Sequence, residues 1–188
     1  DSYIILNVYQ EPDSDQLLYD VHFWIGKYSS QDEYGTAAYK TVELDTFLDD
    51  RAIQHREVMN YESELFKSYF QQITYMKGGA DSGFRKVTTR EYQPRLLHFN
   101  GERKNVVVRE IKLSRNNLKS ADVYILDMGD KAFQWNGNDC SKDEKFKAMQ
   151  YMQQLKSDRG GKLDSETVDE HDSSAHTHLM NQLPDVPA

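Results

Sequence analysis

Cys140 is the single cysteine in these 188 residues, so no internal disulfide can form and a reducing compartment is expected. No run of about 18 apolar residues occurs, which leaves no segment able to cross a bilayer as a helix, and no charged-then-apolar leader opens the chain. Positive charge is in deficit. Against 31 acidic side chains stand 23 basic ones, a formal net charge of −8, so the average surface repels a nucleic-acid backbone or an anionic membrane. The usual emblems of catalysis are missing too. Gly78-Gly79-Ala80-Asp81-Ser82-Gly83 lacks the Gly-Lys-Ser/Thr ending of a phosphate-binding loop, no Gly-x-Ser-x-Gly elbow exists, and no nucleophile stands out. His171, His176 and His178 lie in a Ser/Asp-rich tail, where solvation is the expected fate. The chain begins with Asp1 directly in a strand pattern, and a fragment of a longer protein is expected.

Strand and helix signals are plentiful. Residues 3–9, rich in Ile, Val and Tyr, read as a strand that forms a hairpin with Leu17 to Ile25 across Pro12-Asp13-Ser14-Asp15. Ser29 and Ser30 followed by Asp32 and Glu33 announce a helix start, and Gly35 to Asp50 reads as one long helix. Its apolar stripe is Ala37, Ala38, Thr41, Leu44 and Leu48, with Tyr39, Glu43, Asp45 and Thr46 on other faces. A shorter helix is expected over about 62–70 and a strand at Ile73 to Met76. Residues 88–94 are the linker candidate, and 96–99 with 106–111 form a hairpin across Asn100-Gly101. The tail from Asp164 reads as loosely structured, with 184–188 the start of a linker toward a further domain.

A repeat organises the whole. Asp1-x-Tyr3-Ile4 matches Asp122-x-Tyr124-Ile125, Trp24-x-Gly26 matches Trp135-x-Gly137, and Glu33 and Glu144 each stand seven residues beyond their Gly. Two homologous domains follow, residues 1–87 and 95–183, the first lacking the opening strand that the second carries. Core packing explains the Trp and Ile but not two acids held in register. Carboxylates converging from a strand and a helix offer hard oxygen ligands, which favours Ca²⁺. The alternative stays open that the Asp caps a turn and the Glu merely benefits from the helix dipole.

Several stretches resemble one family. Asp1-Ser2-Tyr3-Ile4-Ile5-Leu6, Tyr19 to Gly26, Gln31 to Ala38, Gln54 to Val58 and Lys77 to Phe84 are similar to the first domain of gelsolin, severin and fragmin family actin-severing and capping proteins. Arg95 to His98, Asp122 to Asp127 and Gln134 to Gly137 resemble the second. The resemblance implies an α+β fold in which each domain is a central mixed sheet between a long and a short helix. It implies calcium-dependent binding of monomeric and filamentous actin, filament severing and barbed-end capping, and no enzymatic activity. A cytoplasmic, cytoskeletal location goes with it.

Site residues carry over by position. Asp1, Glu33 and the carbonyl of Ala80 would hold the first domain's own calcium; Asp45 with the carbonyls of Asp50 and Ala52 would hold a second, shared with actin. Ala121, Asp122 and Glu144 match the site of the second domain. Tyr39, Glu43, Asp45, Thr46 and Phe84 would face actin at the barbed-end cleft, and Arg103, Lys104 and Lys142 would reach the filament side. Lys156 stands where the offset of Asp45 falls in the second helix, so only the first is expected to share a calcium with actin. Departures are informative. Asp50 replaces the family's usual Gly, Val123 and Asn136 replace the disulfide of secreted gelsolin, and Gln71 to Lys77 holds one cation where phosphoinositide-binding segments are basic, which disfavours lipid regulation. The rivals are a capper that does not sever and, from another class, a calcium-dependent enzyme using the paired carboxylates.

Overall fold

Alternating β-branched and aromatic residues make Ser2–Tyr9 (β1) and Leu18–Ile25 (β2) antiparallel partners, from Ser2 opposite Ile25 to Tyr9 opposite Leu18. The computed structural model describes residues 1–77, 79 and 92–188. Among these, 1–72 with Gly79 form one compact unit, and 73–77 with 92–188 form another.

In the first unit the chain leaves β2 through helix α1, Gln31–Phe47, and returns as β3, Ala52–Val58, parallel to β2. The mixed sheet has the order β1-β2-β3. Ser30 caps α1 by accepting the Glu33 N–H, and Ala37 and Thr41 are its buried residues, as the apolar stripe requires. The helix ends at Phe47 rather than at Asp50. Asp49 and Asp50 take left-handed φ values of 61° and 58°, and the Asp50 N–H turns back to the Asp45 carbonyl at 2.9 Å. Such a turn satisfies a terminal carbonyl, and Asp tolerates it better than most side chains. Gly35 lies in the helix with nothing within 4 Å of an added Cβ. Gly35→Ala is therefore expected to raise stability by about 0.5–1 kcal/mol in chemical denaturation.

β3 holds the charged stretch Gln54-His55-Arg56-Glu57, whose sequence gave no strand signal. Polar residues fill its inward positions and are satisfied there. Glu57, 2 % exposed, accepts from Ser63 N–H and Oγ–H and pairs with His22, while His55 meets Asp20 at 2.7 Å. The short helix α2 is Glu64–Ser68, less than the 62–70 expected, because Ser63 serves as its cap and Glu62 accepts from Trp24 Nε1.

The second unit has a six-stranded sheet. Its strands are β4 (Thr74–Tyr75), β5 (Arg95–Asn100), β6 (Val107–Ile111), β7 (Val123–Asp127), β8 (Lys131–Asn136) and β9 (Asp164–Asp169), in the order β4-β6-β5-β7-β8-β9. The segment expected as a first-domain strand is thus β4, paired in parallel with β6. Helix α3, Lys142–Asp158, connects β8 to the parallel β9 as α1 connects β2 to β3. Leu97, Phe99, Val108, Val123 and Ile125 pack one face of the sheet with Ala148 and Met152 of α3. On the other face, Leu96, Tyr124, Leu126 and Trp135 pack with Leu179 and Leu183. The sheet lies between a long and a short helix.

The tail is ordered, contrary to expectation. β9 pairs through its main chain and needs only Val168 as an apolar anchor. Helix α4, Ser173–Gln182, is capped by Asp172 and buries Leu179 to 1 % exposure. His176 is no solvated residue either, since its Nδ1 accepts from Trp135 Nε1 at 3.0 Å. Beyond α4, the Pro184 carbonyl accepts from Arg115 N–H and the Val186 carbonyl from Asn116 Nδ2.

The repeat has a stereochemical reason at its glycines. Gly26 N–H donates to the Asp1 carbonyl and Gly137 N–H to the Asp122 carbonyl, both at 3.0 Å. A Cβ would stand 2.7 Å from Asp1 O in the first case and 2.2 Å from Ser120 O in the second. The two copies differ at the neighbouring edge. β7 is flanked by β5, whereas β1 ends its sheet, and Tyr3 is 56 % exposed where Tyr124 is 1 %.

Candidate cation and partner-binding sites

Asp122 enters β7 immediately after Ala121, and Glu144 is the third residue of α3, held by a capping box with Ser141. Their carboxyl groups lie side by side. Asp122 Oδ2 also contacts His98 Nε2 at 2.7 Å and Oδ1 accepts from Asn100 Nδ2 at 2.6 Å. Glu144 Oε1 accepts from Ser141 N–H at 2.8 Å, and Oε2 from Gly101 N–H at 3.3 Å. Burial pushes the Glu144 carboxyl above its ordinary value, and the adjoining Asp122 pushes it further. Burial acts on Asp122 in the same sense but is outweighed by hydrogen bonds from His98, Asn100 and Glu144, which hold it low. Two carboxyl groups side by side, from a strand and from a helix start, offer hard oxygen ligands that a dication can take with main-chain carbonyls or water.

In the first unit, Glu33 stands beside Asp1 at the head of α1, where its Oε1 accepts from Ser30 Oγ–H at 3.2 Å and its Oε2 from Ser29 Oγ–H at 3.4 Å. Gly79, at φ 134°, passes so near that an added Cβ would be 3.0 Å from Asp1 Oδ2. Asp1, Glu33 and Gly79 therefore converge. Ala80 and Phe84, expected as calcium ligand and actin contact, lie outside the described residues, as do residues 88–91 of the expected linker.

At the other end of α1, Asp45 Oδ1 accepts from Ala52 N–H and Oδ2 from Gln54 Nε2, each at 2.9 Å. With Asp50 N–H on the Asp45 carbonyl, the turn gathers Asp45, Asp50 and Ala52. Among the described residues no group of three or more His, Cys, Asp or Glu side chains is gathered for a metal ion. Any cation here would need main-chain carbonyls or water to complete its shell.

The outer side of α1 carries Tyr39, 65 % exposed, with Glu43 and Thr46. Glu43 pairs with Lys40 at 2.8 Å. Val42 and Phe47, which the sequence reading passed over, are also exposed. Arg103 and Lys104 form a 3-10 turn, Arg103–Asn105, beside the start of α3, where Arg103 N–H donates to Asp143 Oδ2 at 2.9 Å and Lys142 is exposed.

Two polar clusters were missed. His98 and Asn100 were legible as polar residues at alternate positions of a strand whose other residues after Arg95 are Leu and Phe. The other is buried. His22 contacts Glu57 Oε2 and Tyr69 OH, both at 2.9 Å, and stacks on His55 with ring centroids 4.4 Å apart. Its partners come from separated segments, so no local spacing announces it.

A gelsolin-repeat family model matches residues 1–67 and 104–177. The chain is 57 % identical over 180 residues to gelsolin-like protein 1 of Lumbricus terrestris, covering 95 % of this chain and 48 % of that protein. It is 53 % identical over 191 residues to gelsolin-like protein 2 of the same organism, covering 100 % and 52 %. Severin of Echinococcus granulosus is 51 % identical over 195 residues, covering 100 % and 52 %. The chain thus spans about half the length of these relatives.

Proposed function

Because the chain belongs to the gelsolin family, a family of actin-binding structural proteins and not of enzymes, we propose that it binds actin in a calcium-dependent manner, caps barbed ends and severs filaments. The observation that carries this reading is the two-sidedness of α1. Ala37 and Thr41 fasten the helix to its own sheet, while Tyr39, Val42 and Phe47 are exposed with Glu43 and Thr46 between them. A helix docked on one side and apolar on the other is built to enter a partner's cleft. Phe84 would add to that contact.

Calcium supplies the coupling. A dication bound at Asp122 and Glu144 would tie the start of β7 to the start of α3. Asp1 and Glu33, with the Ala80 carbonyl, would do likewise in the first unit. At Asp45, the carboxylate and the carbonyls of Asp50 and Ala52 would face a carboxylate of actin, so that repulsion between two acidic proteins becomes a bridge. Arg103, Lys104 and Lys142 would hold the filament side. The segment Gln71 to Lys77, with one cation, disfavours phosphoinositides as ligands, and the setting is the cytoplasmic cytoskeleton.

Calorimetric titration of Ca²⁺ with and without monomeric actin tests the reading, since one additional calcium is expected in the complex. Asp45→Asn should abolish that extra calcium and weaken calcium-dependent actin capture at least about tenfold, near 1.4 kcal/mol. Equal stoichiometry with and without actin would sink the shared site. Filaments watched by microscopy in calcium and in chelator separate severing from capping; growth arrested without breaks leaves capping alone.

A further inference from the structure

Two Asn-Gly pairs occur in the chain, Asn100-Gly101 and Asn136-Gly137, and every other asparagine precedes a residue that carries a Cβ. Such a pair is chemically labile. The main-chain nitrogen after an asparagine can attack the side-chain amide carbon, and glycine, having no Cβ, obstructs that approach least. The fold treats the two pairs oppositely. Asn136 is 6 % exposed; its Nδ2 donates to Asp169 Oδ1 and its Oδ1 accepts from Gln134 Nε2, both at 3.0 Å. The Gly137 N–H is taken by the Asp122 carbonyl, among main-chain atoms that leave no room for a Cβ. Neither residue can turn toward the other without opening the sheet.

Asn100, by contrast, ends β5 and is exposed. Gly101 leaves the strand at φ 134°, and its N–H goes to Glu144 Oε2 at a long 3.3 Å rather than to a neighbouring strand. The Asn100 amide donates through Nδ2 to Asp122 Oδ1 at 2.6 Å. This bond lies at the surface, where water can replace either partner, so the amide is free to leave it. Nor can the turn shed the labile pair by exchanging its glycine. A Cβ at position 101 would stand 2.3 Å from the Asn105 carbonyl oxygen, and the backbone there is left-handed.

We propose that Asn100 is a site of spontaneous covalent modification, at which the chain converts its own side-chain amide into a carboxylate facing Asp122. The Gly101 nitrogen bonds to Asn100 Cγ, and its proton passes through water to Nδ2. The Cγ–Nδ2 bond breaks and Nδ2 leaves as ammonia. Water then opens the cyclic imide, at Cγ to give aspartate or at the main-chain carbonyl to give isoaspartate. Nothing is oxidised or reduced, and water is the only co-reactant. In either product Asp122 Oδ1 faces an acceptor where it had a donor, and attraction becomes repulsion between like charges. Isoaspartate also lengthens the main chain just before Gly101, where the turn closes against Asn105. The second unit therefore loses stability as the reaction proceeds.

The test is prolonged incubation of the full chain in mildly alkaline buffer made with heavy-oxygen water, both folded and in concentrated urea, followed by tryptic digestion and mass spectrometry. In the folded chain the peptide Leu96–Arg103 should acquire its labelled acid at least about tenfold faster than Asn136 does in the peptide Ala132–Lys142, because Asn136 reacts only from opened molecules. In urea the two rates should converge. Asn100→Gln, whose longer side chain would have to close a larger ring, should leave Leu96–Arg103 unlabelled. Asn100→Asp, prepared directly, should lower the thermal midpoint of the second unit. A folded chain modified at Asn136 as fast as at Asn100 overturns the inference. So does one that stays intact at both positions while its urea-unfolded form reacts. A wild-type midpoint in Asn100→Asp overturns the proposed loss of stability.

Discussion

Gly137→Ala is expected to destabilise the second unit by roughly 3 kcal/mol, seen as a lower denaturant midpoint. The added Cβ would lie 2.2 Å from Ser120 O, 2.5 Å from Ser120 C and 2.8 Å from Asp122 O. All three are main-chain atoms, so no side chain can swing aside. Relief requires separating the end of β8 from the segment entering β7, which breaks the Gly137 N–H bond to Asp122 O and the Asp139 N–H bond to Ser120 O. The same displacement carries Asp122 away from Glu144, and calcium affinity should fall with stability. Gly26→Ala meets one main-chain oxygen, at 2.7 Å, and should cost less. A Gly137→Ala protein with the wild-type midpoint would refute this account of the repeat.

Arg159→Met should cost the second unit about 3 kcal/mol or more, because it strands a buried carboxylate. Arg159 Nη1 and Nη2 donate to Asp127 Oδ1 and Oδ2 at 2.7 and 2.6 Å, and Nη1 also reaches the Gly129 carbonyl. Asp127 is 5 % exposed. Burial pushes its carboxyl up, but Arg159, Tyr92 and the Gly129 N–H outweigh burial and hold it below the ordinary 3.8. Tyr92, resting on the same group, is pushed up to about 12 by burial first and by Asp127 second.

The pH dependence follows with a definite sign. A depressed carboxyl contributes stability above its unfolded value of 3.8 and loses it as pH falls through the still lower folded value. Without Arg159, only Tyr92 and the Gly129 N–H oppose burial, so the folded value moves up and the penalty shrinks as acid neutralises the group. The wild type should therefore lose stability toward low pH while the variant recovers part of its deficit. Arg159→Met combined with Asp127→Leu should cost less than either single change would suggest by addition. Additive losses with parallel pH profiles would show that the pair is not coupled.

The elements that the sequence announced were those whose own side chains carry the reason for their structure. β7 and β8 alternate into two apolar cores, Ser30 and Ser141 cap their helices with an acidic residue three positions on, and Trp24-x-Gly26 recurs as Trp135-x-Gly137. What escaped notice is stabilised by residues far away in the chain. β3 is a strand because His22, Asp20 and Ser63 satisfy Glu57 and His55, and nothing within residues 52–58 states that. β9 is polar throughout except for Val168, yet pairs because β8 offers a free edge. The end of α1 lay three residues early because the left-handed turn at Asp49 and Asp50 is fixed by main-chain bonds to Asp45 and Thr46.

From residues alone came the repeat and the pairing of an Asp with a Glu in each copy, since these are matters of identity and spacing along the chain, and the α+β class came with the family that those residues resemble. Only the folded chain decided how those acids behave. It set Asp122 against His98 and Asn100, left Glu144 with a raised carboxyl, and turned Asp45 toward Ala52 and Gln54. It also placed Phe146 and Met149 in water beside lysines. Periodicity shows which residues share a helix face, but whether that face is covered depends on what the rest of the chain brings to it, and burial and charge are properties of that assembled neighbourhood.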